Sequence, residues 1–134
     1  MTNQNNSESV MFTSIEEPII DIAKTTGNFI LLLGNGNIVS TPNGTSVGTT
    51  YNTNKKMIRM VRFGNEFVGL DKQGKLYTQQ AAVSNVWTWN KLTNFPKDVV
   101  FINSTNTGTN LEVTTEHGKS YLYQYSSNLS LIHI

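Results

Sequence analysis

Residues 66–79, EFVGLDKQGKLYTQ, followed after six intervening residues by residues 86–92, VWTWNKL, decide the fold. The first stretch is two apolar segments around Asp71, Lys72, Gln73 and Gly74. A turn this tight needs a residue at positive φ, which glycine adopts without a Cβ clash. The pattern reads as strand, hairpin turn, strand, with an aromatic strand after it.

Outward from this centre the pattern recurs. Residues 19–41 read IIDIAKTTGNFILLLGNGNIVST, residues 57–78 read MIRMVRFGNEFVGLDKQGKLYT, and residues 99–124 read VVFINSTNTGTNLEVTTEHGKSYLYQ. Each opens on an alternating strand and passes a glycine (Gly27, Gly64, Gly108). Each then continues through a second apolar strand to a turn at Gly36, Gly74 or Gly118, from which a third strand leaves. The turn glycines lie 38 and 44 residues apart, a repeat of about 40. A fourth strand is clear at residues 86–92, expected at 128–134 (NLSLIHI) and weakest at 48–52 (GTTYN). No eleven-residue window carries apolar spacings of three and four, so essentially no α-helix is expected. The fold class is all-β, three repeats of about four strands. Residues 1–17 are expected to be a flexible polar tail, and 18–134 a single all-β repeat domain.

The central segment, EFVGLDKQGKLYTQ with VWTWNKL, resembles the repeat of fibroblast-growth-factor-like and fascin-like β-trefoils. VWTWNKLTNFPKDVVFI followed by NLEVTTEHGKSYLY is similar to tectonin-type and regulator-of-chromosome-condensation repeats of β-propellers. The Trp-Asp pair of WD repeats and the QxW triplet of ricin-type lectins are absent. The first resemblance implies a six-stranded barrel capped by three hairpins, closed by SLIHI (130–134) near PIIDIA (18–23). The second implies blades, and a propeller needs at least four. Three blades per chain would have to be completed by homo-oligomerisation, most simply a homodimer with six. Closure within one chain makes the trefoil the preferred reading and the oligomeric propeller its alternative.

Composition narrows the function. Ten Lys and Arg against nine Asp and Glu leave a net charge of +1, which speaks against a nucleic-acid partner. Charged residues are 14% of the chain, against the ~25% usual in soluble domains. In their place stand 17 Asn and 17 Thr, a hydrogen-bonding surface with a weak field and a hint of an AT-rich genome, such as those of large DNA viruses. The absence of cysteine removes disulfides, thiolate metal sites and a cysteine nucleophile. The longest apolar run, residues 29–33, is far short of the ~20 residues a spanning helix requires. The first ten residues do not read as a signal peptide, and an intracellular setting (cytoplasm, host cell or virion) is expected.

Candidate chemistry is sparse. P-loop, HExxH and GxSxG motifs are absent, and His117 and His133 read as a turn and a strand residue. No catalytic residue, metal or cofactor is assigned, and the chain is read as a non-enzyme. Lys55, Lys56, Arg59 and Arg62 form a basic run that strand alternation divides between two faces, so it reads as a solvated edge. The aromatic residues Trp87, Trp89, Tyr121, Tyr123 and Tyr125 are the ligand or interface candidates, since flat rings serve core packing, protein contacts and sugar stacking alike. The function expected is a non-enzymatic protein-interaction or binding module, presenting loops and an aromatic surface to a protein partner. The alternative is a carbohydrate-binding, lectin-like domain with a glycan ligand; chromatin contact stands third.

Overall fold

The computed structural model describes residues 17–25, 27–42, 48–79 and 82–126. Their strands fall into three sheets, each tracing a contiguous part of the chain save one added strand. The first holds β1 (Ile19–Thr25), β2 (Asn28–Leu33), β3 (Ile38–Thr41) and β4 (Thr50–Thr53) as an antiparallel meander. The second holds β5 (Arg59–Phe63), β6 (Glu66–Leu70), β7 (Leu76–Gln79) and the short β9 (Asn90–Lys91). The third holds β10 (Val99–Thr105), β11 (Asn110–Thr115) and β12 (Ser120–Gln124). The added strand, β8 (Val86–Trp87), joins the edge of the first sheet in parallel with β4. Among the described residues there is no α-helix, only a 3-10 turn at Asn106–Gly108.

The three hairpin turns are the same object. The amides of Gly36, Gly74 and Gly118 donate to the carbonyls of Leu33, Asp71 and Thr115 at 2.9, 3.1 and 3.0 Å. The amides of Leu33, Asp71 and Thr115 in turn donate to the carbonyls of Asn37, Lys75 and Lys119 at 2.9, 3.0 and 2.8 Å. All three glycines have φ between 82° and 95°, the left-handed region that disfavours a side chain. The repeat read from glycine spacing is thus a repeat of backbone geometry.

Two apolar layers join the sheets. Ala23, Ile30, Leu32 and Ile38 of the first sheet meet Met60 and Tyr77 of the second, with Met57, Trp87 and Trp89. Val61, Phe63, Val68, Leu70 and Leu76 of the second meet Val99, Ile102, Leu111, Val113 and Tyr123 of the third. The second sheet is therefore buried on both faces. That explains why β6 reads as a nearly continuous apolar run instead of alternating.

Two expectations are revised. No sheet closes into a barrel, so the six-stranded barrel of a trefoil has no counterpart among the described residues. Residues 86–92 do not form one strand either, and Asn54 supplies the reason. Its Oδ1 accepts the Trp89 amide at 2.7 Å and its Nδ2 donates to the Trp89 carbonyl at 3.2 Å. Both backbone groups of Trp89 are thereby withdrawn from any ladder, leaving Val86–Trp87 on the first sheet and Asn90–Lys91 on the second. The weakest fourth strand, placed at residues 48–52, is found as β4. The fourth strand expected at 128–134 lies outside the described residues, as do residues 1–16 of the expected tail.

Candidate functional site

Among the described residues, each sheet begins with a strand paired on one edge only: β1 to β2, β5 to β6 and β10 to β11. The free edges of these three strands face one another and enclose an open concavity of about 430 Å³. Its wall includes Asp21, Lys24, Arg59, Arg62, Asn103 and Thr107. Side chains bridge the strands where the backbone cannot. Asp21 Oδ2 accepts the Met60 amide at 2.8 Å, tying β1 to β5. Arg59 Nε donates to the Ile102 carbonyl at 2.7 Å, tying β5 to β10. The Arg59 guanidinium also lies 3.8 Å from Asp21 and 4.8 Å from the centre of the Phe101 ring.

The charge on this wall is one-sided. Among the described residues, Lys24, Arg59 and Arg62 stand against a single carboxylate, in a chain whose net charge is +1. Arg62 is steadied by its Nε bond to the Gly64 carbonyl at 2.9 Å. Its terminal nitrogens have no partner among the described residues. Strand alternation does place Arg59 and Arg62 on opposite faces of β5. They nevertheless share the concavity, because the free edge is reached from both faces.

The aromatic candidates lie elsewhere. Trp87 and Trp89 are each 3% exposed and belong to the layer between the first two sheets, rings 5.5 Å apart. Their indole N–H groups are buried without a hydrogen-bond partner. Tyr121 and Tyr123 stack nearly parallel, centroids 6.3 Å apart, and Tyr123 also meets Phe95 at 4.8 Å. Tyr125 leaves that pair: its ring meets Phe63 edge-on at 5.2 Å and its hydroxyl donates to Glu66 Oε2 at 3.2 Å. Burial first, then the neighbouring Tyr121, raises the Tyr123 pKa above the usual 10.0; burial raises that of Tyr125 too. Tyr121 lines a shallow groove with Pro96, Lys97, His117 and Lys119. The five rings therefore do not form one platform.

Carboxylates are structural where buried. Asp71 Oδ1 accepts the amides of Gln73 and Lys75 at 2.9 and 3.0 Å, and its Oδ2 accepts the Tyr77 hydroxyl at 3.1 Å. Glu66 accepts the Thr78 hydroxyl at 2.9 Å in addition to that of Tyr125. Asp98, Glu116 and His117 bring donor atoms within 4.8 Å of one another, but all three side chains are exposed.

The concavity was hidden from a reading of local runs, since its cations come from two distant strands. The signal that could have found it is the repeat offset. The cross-strand partners of Asp21 and Arg59, Leu32 and Leu70, each precede their turn glycine by four residues, so the two side chains hold one repeat position.

No protein-family profile matches the sequence, and no curated protein matches it. Solved structures do. Sqt1 of Saccharomyces cerevisiae superposes with a TM-score of 0.58 at 14% identity, over 87% of this chain and 34% of Sqt1. Human WBSCR16 superposes with a TM-score of 0.57 at 16% identity, over 88% of this chain and 37% of its own. Both are β-propeller-type folds, and at these identities the likeness is one of fold. The chain spans about a third of either neighbour's length.

Proposed function

We propose that this chain is a non-enzymatic protein-interaction module. Its three sheets act as three propeller blades, completed to a six-bladed ring by a second copy joined head to tail. The concavity would then be one half of the ring's central channel. One observation carries the reading. Of the eight large apolar side chains left exposed among the described residues, three lie on β1 (Ile19, Ile20, Ile22) and two on β10 (Val100, Phe101). These are the inner strands of the two terminal sheets, where a continuing ring would cover them. Unclosed sheets and coverage of a third of two propeller-type folds support the same reading.

The chain lacks cysteine, so introduced thiols report cleanly. Ile22→Cys and Phe101→Cys chains, mixed and treated with a short bis-maleimide, are expected to cross-link to each other more than to themselves. Prevalence of Ile22→Cys homodimers would contradict the head-to-tail arrangement. Absence of any cross-link would contradict self-association.

A further inference from the structure

We infer that the wall formed by β1, β5 and β10 binds an acidic segment of a partner protein, with Arg62 and Lys24 as its principal contacts. This rests on the interaction-module reading and names the chemistry of the partner. The volume, about 430 Å³, falls within the ~300–1,000 Å³ usual for ligand sites. Arg59 is committed to the Ile102 carbonyl and to Asp21, so it shapes the wall. Arg62 is held only through its Nε, which leaves a guanidinium edge presented for bidentate contact with a carboxylate. Lys24 makes no ion pair among the described residues and lies 5.8 Å from the Phe29 ring.

The backbone favours a peptide over other anions. Successive residues of a strand direct their N–H and C=O groups to opposite edges. The Met60 amide leaves its sheet to meet Asp21, so the Arg62 amide and carbonyl face the same free edge. The flanking Met60 and Gly64 amides are taken by Asp21 and by the Gly108 carbonyl, so an extended acidic segment would meet the Arg62 amide and carbonyl with its main chain and the two cations with its side chains. A nucleic acid would ask for a long basic stripe, whereas Lys55 and Lys56 do not line this wall.

The test is fluorescence anisotropy with a labelled decapeptide of alternating Glu and Ser, and a control of alternating Gln and Ser. The Glu peptide is expected to bind at least about tenfold more tightly, and to weaken as salt rises. Arg62→Gln should weaken it about tenfold. Lys24→Gln, at an exposed site, should weaken it several-fold and keeps the test sharp if the first variant fails to fold. Equal binding of the two peptides, or unchanged binding by both variants, would overturn the inference. Tighter binding of a single-stranded DNA decamer would replace the peptide with a nucleic acid. Solution mass is recorded on the same sample. A monomer that binds the Glu peptide leaves the inference standing without the ring; a dimer that ignores it does the reverse.

Discussion

Asp21 and Arg59 hold the same position in successive repeats, and each reaches across to the backbone of the next sheet. Asp21 accepts from the Met60 amide at 2.8 Å, and Arg59 donates to the Ile102 carbonyl at 2.7 Å. One position thus makes one kind of contact with opposite charge. In the third repeat it is Phe101, whose cross-strand partner Thr114 again precedes its turn glycine by four residues. Phe101 is 44% exposed, and among the described residues no fourth sheet follows for it to reach.

The linkage predicts an asymmetry between conservative and deleting changes. Arg59→Met leaves the Ile102 carbonyl without its donor and should cost about 1–3 kcal/mol. Asp21→Asn retains an acceptor for the Met60 amide and should cost well under half of that, whereas Asp21→Ala should approach the Arg59→Met value. Urea midpoints at unchanged m value measure all three.

Gly64 has φ 63°, and a Cβ there would overlap the Tyr125 ring. Gly64→Ala therefore meets both backbone strain and a clash, and should be among the most damaging single-methyl additions in the chain. Gly27, at φ 81° with open space around its Cβ position, should cost only the backbone share, about 1–2 kcal/mol. Combining Gly64→Ala with Tyr125→Ala should recover the steric part, read as a coupling energy in a double-mutant cycle.

The Asp71 turn should depend on its carboxylate. Asp71→Ala strands the Gln73 and Lys75 amides and the Tyr77 hydroxyl, and should lower stability by about 2–3 kcal/mol. At Glu116, which occupies the third turn but is exposed, the same change should be nearly silent. Thermal melts of the two variants compare them directly.

The tyrosines give a pH dependence with a definite sign. Burial raises the Tyr123 pKa above 10.0, so above pH 10 the unfolded chain loses its proton more readily than the folded one. Stability contributed by the neutral phenol is complete below about pH 10 and is lost as pH rises through the folded pKa. Tyr125 acts in the same direction. Tyr123→Phe should flatten the fall in urea midpoint above pH 10; an unchanged slope would exclude Tyr123 as its source.

The hairpins and their period were legible because a turn glycine is a local demand, visible at Gly36, Gly74 and Gly118 without knowledge of the rest. The lack of α-helix among the described residues was legible too, because helical apolar spacing is likewise a local pattern. How strands assemble into sheets was not. The division of residues 86–92 depends on Asn54, 35 positions from Trp89, and no local pattern announces that contact. Trp87 and Trp89 suited a core somewhat better than a ligand surface, but an indole's apolar body serves both, so they stood among the ligand candidates. The concavity was illegible from charge runs, because a free strand edge is a property of the fold; only Asp21 and Arg59, compared at equal repeat offset, pointed toward it.

Light scattering on a sizing column measures the central claim most directly. A ring completed by a second copy predicts a particle of twice 14.9 kDa, stable on dilution through the column. A particle of 14.9 kDa at every concentration would contradict self-association and leave the exposed faces of β1 and β10 to partners other than this chain.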